Sequence, residues 1–305
     1  MVPMTNSLAP SAIVTTRDHP KSAKFLSIVA QAYNKAGLSE EEAQNVNETG
    51  GLSDLVGRFI AKNRTKVTFK NECVPSDYGY GSGYTGPKPI YAQVKAIREA
   101  FPDAGFGYFI PDHKEIVAPV EAEGLFAIPR WQVLGTTYGE AVQKVLAALK
   151  GSENKNWSRV YIDDRERPSD SETPRQSRKS IQFWKKIEQQ GHNILLVPAQ
   201  FGLRHRGRSV RCANELMGAS ECGLGAFAIG IMLLTHPERL QDPKGLQIFC
   251  AGDESYGSYY CRFDHVPRFS VHESKLEYSA NFGFCPYAHE SVVSGFLPRR
   301  DKAKS

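Results

Sequence analysis

Apolar residues recur at three- and four-residue intervals along several stretches of this chain, and each such stretch predicts a helix. In "PKSAKFLSIVAQAYNKAG", residues 20–37, Phe25, Ile28, Val29, Ala32, Tyr33 and Ala36 share one face, and Gly37 ends the pattern. "SEEEAQNV" follows, with Ser39 three residues ahead of Glu42. That is a capping box, with acids in the turn where the helix dipole favours them. "SDLVGRFIAKN" opens at Ser53 and sets Leu55, Val56, Phe59 and Ile60 inward, so the first sixty residues predict a small helical bundle. Further helices are expected at 89–101, at 137–151 where Gly151 closes the run, at 176–193, near 208–218, and at 223–235 ahead of Pro237. Short apolar runs ending in proline, "YFIP", "FAIP", "LLVP" and "GFLP", predict strand ends, because proline cannot donate to a sheet ladder. "LQIFC", residues 246–250, is another strand. Strand and helix alternate here, which predicts parallel pairing through right-handed crossovers. The last fifty residues change to period two ("RFSVHE", "KLEYSANF") and predict antiparallel hairpins.

The expected fold is therefore α/β or α+β, a mixed sheet with flanking helices and antiparallel C-terminal strands. Residues 1–19 read as a flexible lead-in. Residues 20–104 read as a helical region followed by the Tyr/Gly-rich loop "PSDYGYGSGYTGPKP". Residues 105–298 read as the core, with a polar excursion at 152–175, and 299–305 as a basic tail. The longest apolar run, "GLGAFAIGIMLL", has about a dozen residues, too few for a membrane span of about 20. The start of the chain lacks a basic segment leading into an apolar one, so no secretory leader is expected. The six cysteines have irregular spacing without a C-x2-C pair, which suits reduced thiols in a cytoplasmic protein.

Charge changes the picture more than composition does. The formal net charge is +5, yet the segment from Lys155 to Arg211 holds thirteen Lys/Arg against six Asp/Glu. Its densest part is "PAQFGLRHRGRSVR", residues 198–211, directly after the apolar "NILLV". If that run is a parallel strand, Gln200, Arg204, His205, Arg206, Arg208 and Arg211 lie past its C-terminal end, where open α/β sheets place ligands. Ser209 would cap the next helix. Cations are disfavoured at a helix start, so a counter-charge is expected. A phosphate or nucleic-acid backbone would supply it. So would internal acids, with Glu215, Glu221, Asp253 and Glu254 as candidates. In "FCAGDESYG", Asp253 and Glu254 also follow a strand, and as parallel neighbours they would face the loop. His205 with Asp253 or Glu254 would then make an acid–base pair of a hydrolase or transferase.

Weaker signals remain. Cys261 with His265 and Cys285 with His289 have C-x3-H spacing, which invites zinc. On a strand, positions four apart lie ~13 Å from each other, too far to share a metal. A helix opened by Pro286 would let Cys285 and His289 meet, but buried Cys and surface His are the expectation, so no metal site is assigned. Tyr78, Tyr80 and Tyr84 either stack bases or pack their loop onto the core. No Walker A, G-x-S-x-G or H-E-x-x-H pattern occurs in the required context.

"VPAQFGLRHRGRSVR", "GLGAFAIGIMLLTHPERL" and "CAGDE" resemble stretches of a group of uncharacterised bacterial hypothetical proteins, over roughly residues 20–298. No fold, activity or ligand is established for that group. The resemblance implies one coherent cytosolic protein and assigns no catalytic residue. Three functions are carried forward. The first is binding of nucleic acid or a phosphorylated small molecule through Arg204, Arg206, Arg208 and Arg211 with His205. The second is the enzyme just described. The third is an interaction module whose loop is internally paired. The pattern names no cofactor, membrane partner or oligomeric state.

Overall fold

A computed structural model describes residues 20–48, 56, 69–81, 83–106, 116–151, 159–162, 174–255, 265–273 and 275–300. The chain divides into two units, Met1–Val67 and Thr68–Ser305.

In the first unit, α1 (Pro20–Lys35) and α2 (Glu40–Glu48) form where the periodicity places them. The capping box is made: the Ser39 amide donates to Glu42 at 2.8 Å and the Glu42 amide to Ser39 Oγ at 3.3 Å. The expected bundle core is not seen in these two helices. α2 buries no residue, and Leu26, Ile28, Val29 and Tyr33 of α1 are exposed. The third helix of that bundle, expected from Ser53, falls outside the described residues apart from Val56.

The second unit is α+β. Strands β2 (Gly124–Pro129), β5 (Ile194–Gln200), β6 (Glu221–Gly223) and β12 (Ser294–Phe296) form a sheet of order β2-β5-β12-β6, antiparallel throughout. Helices α3 (Ile90–Ala100) and α4 (Tyr138–Gly151) pack on α7 (Ala226–Thr235), and α3 and α7 both contact β2. α7 is apolar on every side because it is enclosed, and Leu234 alone among its residues keeps partial exposure. No helix among the described residues is long and apolar enough to cross a membrane. Helix α5 (Arg178–Ile187), capped by Ser177, contacts β6.

A second sheet has the order β11-β7-β9-β10-β3, from β11 (Glu290–Val292), β7 (Gln247–Phe249), β9 (His265–His272), β10 (Lys275–Phe282) and β3 (Arg159–Ile162). β9 and β10 are the antiparallel hairpin that period two predicts. Helix α6 (Val210–Leu216) adds Val210 and Ala213, and its C-cap Met217, to a small cluster with Phe249, Val266 and Val292. Two ribbons complete the unit: β1 (Ile116–Val117) with β13 (Arg299–Arg300), and β4 (Arg175–Gln176) with β8 (Asp253–Glu254).

Several expectations need correction. β5 is antiparallel to both neighbours, and β7 lies in the other sheet. Full burial of β5 comes from cover on both faces, which strands of either direction share, so an unbroken apolar run does not report direction. Pro198 lies inside β5 opposite Leu125, not at its end. It is tolerated because the β12 ladder reaches only Ala199 and Gln200. The polar stretch 152–175 is not wholly irregular, since Arg159–Ile162 pair in parallel with β10. "YFIP" lies outside the described residues.

Candidate functional site

Gln200 ends β5 fully buried, and its amide uses every hydrogen-bonding position. Nε2 donates to the Val292 carbonyl at 2.9 Å and to Ser294 Oγ at 3.0 Å. Oε1 accepts from the Gly202 amide at 2.7 Å and the Arg204 amide at 3.4 Å. Gln200 therefore shapes the turn and has nothing left for a ligand. Gly202 (φ 130°) and Gly207 (φ 68°) take conformations that favour glycine. A Cβ at Gly207 would drive into the Val74 carbonyl, which the loop needs beside it, because the Val74 amide bonds the Gly207 carbonyl at 2.7 Å.

The loop passes through a short turn at Leu203–His205 and enters α6. Ser209 caps α6 as expected, accepting from the Cys212 amide at 3.0 Å. Two buried carboxylates converge on it. Glu221, only 3 % exposed, accepts from Arg204 Nε at 3.1 Å, His205 Nε2 at 2.8 Å and Ser294 Oγ at 2.7 Å. Burial alone would raise its carboxyl. Bonds from His205, Ser294 and Arg204 outweigh that and hold it at about 2. Arg208 Nη1 approaches His205 Nδ1 at 3.0 Å, so Nδ1 is the acceptor and the Nε2–H is what donates to Glu221.

Glu72 is the second carboxylate. It accepts from Ser209 Oγ at 2.7 Å, Arg211 Nε at 3.0 Å and, in close contact, Arg211 Nη2. Burial pulls its carboxyl upward, but bonds from Arg211 and Ser209 hold it below the usual range. The negative group that a basic helix start calls for is thus supplied from within the chain. Glu221 stood among the candidate acids. Glu72 did not, since nothing periodic in "FKNEC" links it to a helix 137 residues away.

Arg206 and Arg208 are left over. Arg206, exposed, donates to the Tyr78 carbonyl at 2.9 Å. Arg208, half-buried, donates to the Arg204 carbonyl at 3.3 Å and to the His205 ring. Among the described residues neither guanidinium meets a carboxylate. Of the four arginines only Arg204 and Arg211 pair with a carboxylate among the described residues, so the outer face of the loop keeps positive charge.

Asp253 and Glu254 do not face this loop, which corrects the arrangement expected of parallel neighbours. Asp253 is 2 % exposed and sits at the start of α7. It accepts from the Ala226 amide at 2.7 Å and from Tyr138 Oη at 2.8 Å. Burial raises its carboxyl to about 7, against the lowering effect of those two bonds. Glu254 pairs with Arg175, Nη2 lying 2.9 Å away. His205 therefore has no described contact with either acid. The cavity beside Tyr138, lined by Trp131, Trp184 and Phe227 among others, offers about 10 Å³, room for one water at most.

The tyrosine loop packs inward. Tyr84 is buried edge-on against Phe201 and His236, and Tyr80 lies under the Arg239 guanidinium, 4.3 Å from ring centre. Residues 285–287 are irregular, so Pro286 opens no helix, and Cys261 lies outside the described residues. Among the described residues no group of three or more His, Cys, Asp or Glu is placed to hold a metal. No family model, curated protein or solved structure matches this chain.

Proposed function

We propose that the loop from Arg204 to Arg211 is a docking surface for a phosphate-bearing polyanion, the backbone of a nucleic acid being the ligand class that suits it. One observation carries this reading: Arg206 and Arg208 keep guanidinium donors with no acidic partner among the described residues, after Glu72 and Glu221 have been used by their neighbours. Arg204 and Arg211 add to the field, each with more than a third of its side chain exposed. An open, basic surface favours an extended backbone over an enclosed nucleotide, because phosphate contacts need positioned donors and no burial of a base.

A labelled single-stranded oligonucleotide, titrated by fluorescence anisotropy at several salt concentrations, tests it. Wild type should bind and weaken steeply with salt. The Arg206→Ala/Arg208→Ala variant should lose about tenfold or more in affinity and reduce the log–log salt slope by about 1.4. Absence of wild-type binding, or a variant that binds equally, overturns the reading.

A second reading treats the loop as a brace within the fold. It is favoured by the internal engagement of Gln200 with Ser294, of His205 and Ser294 with Glu221, and of Ser209 with Glu72. Arg206→Ala alone separates the two, since Arg206 bonds only the Tyr78 carbonyl and its removal leaves that network intact, whereas Arg208 is bonded to the His205 ring. The acid–base reading of His205 with Asp253 or Glu254 gains no support from these contacts.

A further inference from the structure

Cys73 and Cys212 are 139 residues apart in sequence, yet their sulfurs lie 2.8 Å from each other. Their backbones are held in register on both sides. The Ser209 amide bonds the Glu72 carbonyl at 2.9 Å, the Val74 amide bonds the Gly207 carbonyl at 2.7 Å, and Cys73 pairs with Arg208 as an isolated bridge. Cys73 is exposed and Cys212 is buried on α6, so one thiol meets solvent reagents while the other waits behind it. Among the described residues no other cysteine sulfur contacts a second one.

We propose that Cys73 and Cys212 form a reversible disulfide, closed by exchange with a low-molecular-weight disulfide and reopened by the corresponding thiol. The Cys73 thiolate attacks one sulfur of the reagent, forming a mixed disulfide and releasing one thiolate. Cys212 gives its proton, through solvent, to the thiolate released in the first step, and its sulfur attacks Cys73 Sγ. The protein S–S bond forms, the mixed disulfide breaks, and the second reagent thiol leaves. Two protein thiols are oxidised and one reagent disulfide is reduced to two thiols. Burial, then the contact with Cys73, pushes the Cys212 thiol up to about 12, which assigns the first attack to Cys73; the Arg208 charge favours the Cys212 thiolate in the second step. A disulfide needs the sulfurs at about 2.05 Å, so closure asks for a shift of under about 1 Å. The bond would staple the segment carrying Glu72 to the helix carrying Arg211. It stands whether or not the loop binds an anion.

The test uses the full chain in glutathione buffers of graded disulfide content, quenched by alkylation and mapped as unreduced peptides. The expected result is a Cys73–Cys212 linked peptide, loss of two titratable thiols, and a rise in Tm on the order of 5–10 °C that dithiothreitol reverses. Cys73→Ser, at an exposed position, should show neither the link nor the rise. A wild-type map with Cys73 carrying glutathione and Cys212 free, with Cys73 joined to another cysteine, or with both unmodified at the most oxidising ratio, overturns the proposal.

Discussion

Glu221 and Asp253 lie within reach of the same short stretch of chain, one opening β6 and the other bonded to the first amide of α7, and water is excluded from both. Their carboxyls nevertheless move in opposite directions, to about 2 and to about 7. Burial pushes both upward. At Glu221 it is overcome by donors that include the Arg204 guanidinium, whereas Asp253 has one amide, one phenol and the neighbouring Glu254 charge. The lesson is that the state of a buried acid is set by the charge of what surrounds it, and desolvation only sets the cost to be overcome. The two regions differ in purpose accordingly. The Glu221 region organises cations at a surface, and the Asp253 region closes a helix start inside the core.

The largest test of this contrast is stability. Glu221→Gln should cost about 3 kcal/mol in urea unfolding at neutral pH, because Arg204, His205 and Ser294 lose a charged acceptor. Asp253→Asn should cost under about 1 kcal/mol, since the site tolerates a neutral group. Equal costs would break the comparison. Next comes pH dependence. The folded pKa of Glu221 lies below its ordinary 4.5, so its contribution is full above that pH and is lost as pH falls towards 2. Asp253 lies above its ordinary 3.8, so its contribution is full below about pH 4 and is lost as pH rises through 7. Each limb should amount to roughly 2–4 kcal/mol. Stability curves of wild type and the two variants, measured from pH 2 to 8, should separate at opposite ends. Tyr138→Phe removes one donor from Asp253 and should cost about 1 kcal/mol while raising the Asp253 titration further, read by carboxyl NMR. The smallest effect belongs to Arg206→Ala, expected within about 0.5 kcal/mol of wild type because its side chain is exposed and bonds only a carbonyl. A larger loss would make that arginine structural and weaken its role as a free cation.

Part of this was legible from the residues alone. The helix expected at 137–151 is Tyr138–Gly151, that at 89–101 is Ile90–Ala100, and the capping box at Ser39 and the cap at Ser209 both form. Such features depend on neighbours within one or two turns, which the sequence displays directly. The basic loop was also visible as a place where charge accumulates after a buried strand. What it does with that charge was not, because Glu72 reaches it from 137 residues away.

Periodicity determines which faces of an element are apolar, and so it determined the existence of most helices and of the β9–β10 hairpin. Strand direction, the division into two sheets and the partners of each buried charge carry no such local signature. They were decided when distant segments packed, because an unbroken apolar strand is equally well buried running either way and a guanidinium is satisfied by whichever carboxylate the fold delivers to it.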